Sequence, residues 1–528
     1  MLDGICVVRD ETTVALDYKL YMVKDEDSSL RPLSFFFTRN DIIWSGGEMN
    51  MNYNMDELLT AKFEDMERKI YSAVCEAARE MTRELLEELD RHLMNTRDKK
   101  RYENKQIRKA TVKTVYGEVE YNRHMYLDRE TKHYVYLLEN QMKMEKIGAV
   151  SSNLAKIISE AAAEMPYRKT AELISGTTGQ TISSHGAWNV VQQIGKEIGK
   201  EEEIILVEME EETTRGETET PIIFMEADGV YLNIQKNKKK AKSQEMKLAT
   251  VYSGWSEDGK KLVNKKVLAG MAGSMKFNSK TEALIQSVFH IEKDQVRVLN
   301  GDGAAWISNT YNPERVFQLD RFHIVKKIRG CIKHKKIASR ILDKIMSGDY
   351  ESGLQDIETY INSIDDDQHK TDLKLAKDLY RYLSNNIDGL PRWQEQLKNM
   401  GVDLQTPEGQ IYKNMGVQEN QNCSLITNRM KGRKMRWSVN GADSLAKIIY
   451  TRENGDLDRI IDNYDGEIML PDNYMDQIKV LSADKVKQVI GKGSKWVGII
   501  QAGVPALGSP VGNYTDALRA LSLGIQDI

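Results

Sequence analysis

Two aspartates in this chain stand in sequence patterns that could place them side by side on one β-sheet. Asp228 lies in residues 224–235, where apolar and polar residues alternate as in a strand with one buried face. Asp302 follows an apolar run in the segment Asn300–Gly303, whose small residues would expose it at the carboxyl end of another strand. A carboxylate inside a sheet is costly to bury without a cation or a donor. The pair therefore predicts a divalent-metal site.

A third acidic residue, Glu419, could complete this site. The residues four, seven and eleven positions after it are Cys423, Ile426 and Met430, which fall on one helical stripe. This pattern predicts a helix that begins at Glu419 and packs the stripe against the sheet. Glu419 would then lie beside the two aspartates.

Three carboxylates without histidine or cysteine ligands suit Mg²⁺, and Mn²⁺ is expected to substitute for it. Two such ions about 3.5–4 Å apart stabilise the attacking and leaving oxygens when a phosphodiester is cut or rejoined. We expect Asp228 to bridge both ions, with Asp302 holding one and Glu419 the other. The nucleophile would be water for cleavage and a DNA 3′-hydroxyl for joining. The alternative is that both aspartates are surface turn residues, as Asp-Gly pairs often are.

The composition of the chain limits its class. Its 528 residues exceed what one core usually serves, so two to four domains are expected. Charged residues make up 29%, and no apolar run is long enough to span a bilayer, so no membrane partner is expected. The amino terminus lacks the pattern of a secretory signal, and four scattered cysteines without a CxxC pair argue against disulfides or structural zinc. A cytoplasmic protein is expected.

The net charge of −4 would by itself argue against a nucleic-acid partner, but the charges are segregated. Residues 201–219 hold nine glutamates and one arginine, whereas basic runs occupy residues 236–242, 326–336 and 429–436. Local sign decides binding more than the sum does. Each run could also be no more than a solvated face.

The last basic run follows Glu419 closely, so it could hold a DNA backbone beside the metal site. Phosphate contacts of this kind add affinity without sequence information and weaken as salt rises. Trp437, directly after the run, could stack on a base or pack in the core. The basic candidates are Arg429, Lys431, Arg433, Lys434 and Arg436.

The amino-terminal half is predicted to be mainly helical. Region 1–110 contains a long amphipathic helix from Met55 to about Met94, which could form a coiled coil or pack on its own domain. Region 111–200 combines a hairpin, turning at residues 117–118, with a helix-turn-helix outline. That outline is typical of a DNA-binding domain, but also of ordinary helix packing. Residues 201–220 are expected to be an acidic linker.

The second half predicts a multidomain α/β protein with an RNase H-like catalytic domain. Residues 221–335 show the order β-β-β-α-β-α-β-α of a mixed five-stranded sheet, in which the first and fourth strands are neighbours. Residues 336–412 are expected to form an all-α insertion that interrupts this sheet domain. Residues 413–450 return to it with the Glu419 helix, and 451–528 have no assigned role.

Several motifs recur in an order that resembles a known family. They are Glu-Ala-Asp-Gly at 226–229, Asn-Gly-Asp-Gly at 300–303, Leu-Asp-Arg-Phe-His at 319–323 and the basic segment 429–442. Together with the segments around residues 165–174 and 177–183, they resemble bacterial insertion-sequence transposases of the ISLre class. These are DDE-type enzymes distantly akin to the Mutator-like group. The resemblance covers roughly residues 55–450.

The resemblance implies an RNase H-like domain split by a helical insertion, with Asp228, Asp302 and Glu419 as the DDE triad. It also gives the Asp-Arg-Phe-His segment a place near the scissile phosphate. Its residues Asp320, Arg321 and His323 are therefore further candidates for contacting DNA. His323 could contact a phosphate or a flipped base, or could merely pack.

The expected function is a transposase that binds terminal inverted repeats and then cleaves and transfers DNA strands with two Mg²⁺ ions. It would act on the double-stranded DNA of transposon ends and target, as a homodimer or higher oligomer. One alternative is a catalytically silent helix-turn-helix repressor, which the presence of all three acids disfavours. Another is an RNase H-like nuclease or resolvase, which needs neither the helical insertion nor the extended amino-terminal region.

Overall fold

The computed structural model describes most of the chain between residues 62 and 464. Its described ranges are 35–37, 42–44, 62–142, 147, 150–178, 180–213, 216–236, 239–292, 295–308, 316–364 and 369–464, with backbone alone at 35–37, 42–44, 236, 239–242 and 433. The predicted start of the first long helix at Met55 and most of region 451–528 lie outside these ranges. Within them, no helix has the length and apolar character needed to cross a membrane.

The chain divides into two compact units. The first comprises Met1–Ile157 with Glu172–Thr181, and the second Ile158–Ala171 with Ile182–Ile528. The chain passes between the units within helix α3 (Ser152–Glu164), within helix α4 (Tyr167–Thr177) and again after residue 181.

The first unit is built on a long helix and an antiparallel hairpin. Its elements in chain order are β1 (Phe35–Phe37), β2 (Ile42–Trp44), α1 (Phe63–Thr96), β3 (Tyr102–Thr114), β4 (Gly117–Asp128), β5 (Tyr134–Val135) and α2 (Leu137–Met142). Leu86 of α1 packs on Val112, Val119 and Tyr121 of the hairpin. The predicted hairpin is confirmed, but it is longer than predicted because the basic stretch before residue 110 belongs to β3. Its turn lies at residues 115–116 and not at 117–118.

The apolar stripe predicted for α1 is divided between two environments. Towards its carboxyl end, Leu89 and Leu93 of the stripe pack on the hairpin, beside Leu86, which the predicted stripe did not include. Other members of the stripe are exposed in the described part of the chain. They are Phe63, Ile70, Val74, Met81 and Leu85.

The second unit's helix α5 spans Ser184–Glu210 and begins at the predicted cap, where the Ser183 hydroxyl accepts from the Gly186 amide. It follows α4 after a short connection, so two consecutive helices occur where the helix-turn-helix was predicted. The predicted acidic linker at 201–220 was wrong, because α5 continues to residue 210. Its apolar residues keep the helical period, and Ile198 and Leu206 are buried.

Three of the glutamates that suggested a linker, Glu201, Glu202 and Glu203, pair with basic side chains of the second unit. The charges of these three are therefore compensated inside the unit, whereas Glu208 and residues 210–212 are exposed. The ion pairs are Glu201 with Arg459 (3.0 Å), Glu202 with Lys280 (2.6 Å) and Glu203 with Lys276 (2.8 Å).

The centre of the second unit is a mixed five-stranded sheet. Its strands are β6 (Ile222–Lys236), β7 (Lys239–Tyr252), β10 (Lys266–Gly270), β11 (Val296–Gly301) and β12 (Val316–Leu319). Their order across the sheet is β10-β7-β6-β11-β12. Strands β6, β11 and β12 are parallel, and β7 runs antiparallel to both of its neighbours, β6 and β10. The five predicted strands and the pairing of the first with the fourth are confirmed.

Three helices accompany these strands: α6 (Ser274–Val288), α7 (Ala305–Ser308) and α8 (Arg321–Cys331). Four further helices follow where the insertion was predicted: α9 (Lys335–Ser347), α10 (Tyr350–Asn362), α11 (Lys370–Asn385) and α12 (Trp393–Asn399). Their core is continuous with α8 and the end of β12, since Leu319, Ile324 and Ile328 belong to the same buried cluster. The insertion is therefore anchored on the strand and helix that border the predicted site.

The chain returns through a small sheet that the sequence did not predict, so the insertion predicted to be all-α over residues 336–412 ends in a short strand. There β13 (Gln410–Ile411) pairs with β8 (Gly254–Ser256), which also pairs with β9 (Leu262–Val263). The last helices of the described chain are α14 (Val439–Glu453) and α15 (Leu457–Asp462).

The predicted Glu419 helix is present but irregular. Helix α13 (Gln418–Gln421) continues as a π-helical segment, Asn422–Lys431. Ile426 and Met430 are buried as predicted, but Cys423 is exposed. The predicted stripe was wrong at that position because i→i+5 bonding puts more residues in each turn, so Asn422 is buried instead.

Candidate active site

The register of β6 and β11 brings Asp228 and Asp302 together. Ala227 pairs with Gly301 in the parallel ladder, and each aspartate is the next residue. A side chain at 301 would not fit, because a Cβ there would lie 2.6 Å from Ile307. The chain leaves β11 in a tight turn, in which the Asp302 carboxylate accepts from the amide of Ala304 at 2.8 Å.

His323 joins the two aspartates. One ligand atom from each of Asp228, Asp302 and His323 lies within 4.8 Å of the others. The His323 Nε2 atom is 3.8 Å from an Asp228 carboxylate oxygen. The start of α8 positions the histidine, because the Asp320 side chain caps this helix by accepting from the His323 amide at 3.0 Å.

Glu419 lies outside this close group but lines the same small cleft. Its side chain is exposed, and its charge contributes to the electrostatic environment of Asp228. The structure therefore brings the three predicted acids to one cleft, with His323 nearer to the aspartates than Glu419 is. The cleft is lined by Ala227, Asp228, Asn300, Asp302, Asp320, His323, Gln418 and Glu419.

The carboxylate of Asp228 is held by two donors and carries a perturbed pKa. The amide of Gly229 donates to one oxygen at 2.7 Å, and the side-chain amide of Asn422 to the other at 2.6 Å. Burial raises the pKa of Asp228 to about 6; the Gly229 bond and His323 oppose the rise, whereas the charges of Asp302 and Glu419 add to it.

No lysine or arginine among the described residues forms an ion pair with these three acids, so their charge is uncompensated. Oxygen donors that converge without a protein counter-ion are the set that Mg²⁺ or Mn²⁺ takes. The residues present therefore fit the divalent cation expected from the sequence.

The raised pKa predicts a pH-dependent response to metal. Between about pH 4 and 6 the native Asp228 keeps a proton that the unfolded chain has lost. In metal-free protein its contribution to the free energy of unfolding therefore falls as pH rises through this window, by at most about 3 kcal/mol at about 1.4 kcal/mol per pKa unit. Mg²⁺ needs the deprotonated carboxylate, so we expect it to raise the melting temperature at pH 7 but little at pH 5.

Melting curves with and without Mg²⁺ at both pH values, for the wild type and Asp228→Asn, measure this effect. The variant has no titrating group at this position and should lose both the pH-dependent difference and the response to Mg²⁺. An equal Mg²⁺ response in the two proteins would contradict the prediction.

A second carboxylate, Glu226, lies two residues before Asp228 and is fully buried. It accepts from the Tyr252 hydroxyl at 2.7 Å and from the Asn300 side chain at 3.0 Å. It also accepts from the backbone amides of residues 416, 417 and 418 at 3.0, 3.0 and 3.3 Å. Burial raises its pKa, and these bonds from residues 416–417 and Tyr252 oppose the rise. Glu226 thus ties the start of the Glu419 helix to β6.

The Glu226 bonds belong to a larger buried network. Asn300 also donates to Asp320 at 2.9 Å and accepts from Gln318 at 3.1 Å, and Gln318 accepts from the amide of Trp393 in the insertion. Sequence analysis missed the roles of Glu226 and Asn422. The signal for Glu226 was its position two residues before Asp228, because residues i and i+2 of a strand lie on the same face of the sheet.

The other candidate DNA contacts are placed in different environments. Lys431, Lys434 and Arg436 are exposed, as a backbone contact requires. Arg321 is partly buried, and its guanidinium lies 3.9 Å from the Met346 sulfur of α9. Nothing is described of the Arg433 side chain.

Arg429 and Trp437 are buried, at 5% and 9% exposure, so they do not offer the surface contact expected of them. The Trp437 indole donates to the carbonyl of Met430 at 2.8 Å, which is the packing alternative. These two residues are buried because one lies in the π-helical segment and the chain after it runs back along β6. There the backbone amide of Gln235 donates to the carbonyl of Trp437.

These features define a class of protein with a mixed five-stranded sheet and an acidic cleft at the ends of two parallel strands. The chain belongs to the uncharacterised protein family UPF0236, whose family model matches residues 56–464. A UPF0236 protein of Caldanaerobacter subterraneus subsp. tengcongensis, whose name joins four locus designations, is 23% identical over 435 residues, which is 80% of this chain and 83% of the relative.

Two further relatives carry informative names. Another UPF0236 protein of the same organism, with eleven locus designations in its name, is 25% identical over 393 residues, covering 72% of this chain and 75% of the relative. A UPF0236 protein in the vanSb 3′ region of Streptococcus gallolyticus is 23% identical over 402 residues, which is 74% of this chain and 83% of the relative.

Proposed function

We propose that this protein is a DDE-type DNA transposase that binds the terminal inverted repeats of an insertion sequence and then cleaves and transfers its strands. The observation that carries the proposal is the cleft in which Asp228 and Asp302, on neighbouring parallel strands, meet Glu419. The strand order, third-second-first-fourth-fifth, is that expected of an RNase H-like domain. The active form would be a homodimer or higher oligomer on double-stranded DNA.

The names of the relatives support a mobile element. A single protein name that joins eleven locus designations is what an element present in many copies would produce. The exposed lysines and arginine after the Glu419 helix supply the positive charge that a DNA backbone needs beside an acidic cleft.

Within this proposal Asp228, Asp302 and Glu419 would hold Mg²⁺, which stabilises the attacking and leaving oxygens of an in-line displacement. The surrounding residues prepare those ligands. Asn422 and the Gly229 amide fix the orientation of the Asp228 carboxylate. Asp320 orients His323, whose ring N–H can donate to a phosphate oxygen. Tyr382 of the insertion donates to the Asp302 carbonyl at 2.8 Å and steadies that turn.

The close approach of His323 raises the question of which residue is the third ligand. Mg²⁺ prefers oxygen to imidazole nitrogen, so Glu419 is expected to matter more for it than His323 does. We expect Glu419→Gln to weaken Mg²⁺ binding roughly tenfold, because it removes a negative charge that attracts the cation. His323→Gln removes no negative charge and should weaken Mg²⁺ binding less than about threefold. Isothermal titration with Mg²⁺ measures both. The reverse order would assign the third ligand to His323.

The test of the function uses the full chain with DNA that carries the ends of its element and a supercoiled target. With Mg²⁺ or Mn²⁺, the expected products are strands cut at the element ends and joined to target DNA. Asp302→Asn is the matched control and should give neither product. Cleavage without joining would indicate a nuclease, and end binding without chemistry a repressor; either result would overturn the proposal.

A further inference from the structure

A cavity of about 450 Å³ lies in the second unit beside the π-helical segment. Three aromatic side chains line it, those of Tyr167, Trp188 and Trp437, together with polar groups from Gln235 and Arg429. Its size is in the range of small-molecule and cofactor sites. Neither the acidic cleft nor the proposed chemistry uses it.

The cavity is lined by the buried guanidinium of Arg429, which forms no ion pair with any residue that the structure describes. The Arg429 Nε atom donates to the Ala162 carbonyl at 2.7 Å, but its two terminal nitrogens have no hydrogen-bond partner among the described residues. Its guanidinium carbon lies 5.6 Å from the ring centre of Tyr167 and 5.5 Å from that of Trp437. The Tyr167 hydroxyl is also buried, and no residue in the described part of the chain bonds it. Such groups are costly to bury unless something completes their bonding.

These groups restrict the chemistry of a ligand. The guanidinium is a planar fork that binds two neighbouring acceptors at once. A free phosphate would satisfy the fork but would leave the three aromatic rings without a matching surface. A nucleobase satisfies both, because its flat face stacks on aromatic side chains while its edge offers acceptors.

We propose that this cavity binds one unstacked nucleobase of single-stranded DNA that presents two neighbouring acceptors, as guanine and cytosine do. The base packs against the aromatic rings and its acceptor pair meets the Arg429 fork. Adenine and thymine present an acceptor next to a donor and leave one arm of the fork unsatisfied. This inference rests on the proposed function, since it gives a DNA-processing protein a contact for a displaced strand.

The location of the cavity suits that role. Strand β6 carries Asp228 in the acidic cleft and Gln235 at the cavity, seven residues apart, which is roughly 23 Å at about 3.3 Å per residue. The helix that touches Asp228 through Asn422 also carries Arg429. One DNA strand can therefore reach both places, roughly seven nucleotides apart at about 3.4 Å each.

The test is equilibrium binding of the full chain, without metal, to thymidine 12-mers that carry one central dG, dC, dA or dT. Fluorescence anisotropy is expected to show dG and dC bound at least about tenfold more tightly than dA and dT, as each bidentate pair allows. Arg429→Met should abolish this preference. Because it replaces an unpaired buried cation with an apolar chain of similar length, its melting temperature should equal or exceed that of the wild type.

Two comparisons separate this site from its surroundings. Lys431→Met removes a neighbouring exposed charge and should weaken all four oligonucleotides equally. Equal binding of all four by the wild type would overturn the inference, as would an Arg429→Met variant that keeps the preference or is less stable. Displacement of the dG oligonucleotide by millimolar inorganic phosphate at constant ionic strength would also overturn it, in favour of a simple anion site.

Strand cleavage and transfer, measured on the same preparations, distinguish this inference from the proposed function. A base preference without cleavage or strand transfer would support the base-binding cavity and overturn the proposed transposase function. Cleavage and strand transfer without a base preference would support the transposase function and overturn the base-binding cavity.

Discussion

Replacing Asp228 or Asp302 with asparagine is expected to lower DNA cleavage by about 10³-fold or more while changing DNA affinity less than about threefold. Removing one carboxylate from the pair takes away a metal ligand whose effect on the transition state is worth several kcal/mol, and about 1.4 kcal/mol corresponds to each tenfold change in rate. DNA affinity depends instead on the exposed basic residues, which these substitutions leave unchanged. Single-turnover cleavage and anisotropy at one salt concentration measure the two quantities.

Asp403→Asn is a suitable control, because Asp403 is exposed and lies outside the cleft. It removes one negative charge and should leave both quantities within about twofold. If Asp228→Asn or Asp302→Asn lost binding in proportion to cleavage, the aspartates would have a structural role, and metal binding would not explain their position.

The second large effect is expected at Glu226. Glu226→Ala would leave three backbone amides, the Tyr252 hydroxyl and Asn300 without their shared acceptor in a site that water does not reach. Each unsatisfied buried donor costs about 1–3 kcal/mol, and several donors lose their acceptor at once. We therefore expect the free energy of unfolding to fall by about 3–5 kcal/mol in urea denaturation.

Glu226→Gln tests the same contact with less disruption. The glutamine side chain has nearly the same volume, but its NH₂ group would face the backbone N–H groups of residues 416–418, which need an acceptor. The start of the Glu419 helix should therefore shift while the sheet remains folded. Mg²⁺ affinity is expected to fall roughly tenfold with a near-native melting temperature. The exposed Glu257 offers a control, since Glu257→Ala should change stability by no more than about 0.5 kcal/mol. An unchanged Mg²⁺ affinity in Glu226→Gln would show that Glu226 stabilises the fold without positioning Glu419.

Much of the second unit followed from local patterns. The strands of the sheet were predicted because apolar residues alternate with a period of two, and the helices because they recur every three to four residues. The adjacency of Asp228 and Asp302 followed from strand order, because residues at equivalent positions on neighbouring parallel strands lie side by side. Long, regular elements were therefore predictable, and so was the meeting of two of the acids.

The errors have a common cause. The acidic stretch was interpreted by composition as a linker, but it begins as a helix whose first three glutamates pair with Lys276, Lys280 and Arg459 from distant segments. The stripe after Glu419 assumed ordinary helical geometry, whereas the chain forms a π-helical segment. Pairing partners and local helix type depend on what packs against a segment, and the segment's own sequence does not specify that.

The amino-acid sequence by itself determined the elements of the sheet, their order and the proximity of the two aspartates, because hydrophobic periodicity is a local property. Only the tertiary structure decided that His323 stands closer to them than Glu419, that Glu226 anchors the helix start, and that Arg429 is buried beside three aromatic rings. Each of these depends on the direction of a side chain between elements far apart in the chain. That direction is set by packing and by the requirement that buried polar groups find partners.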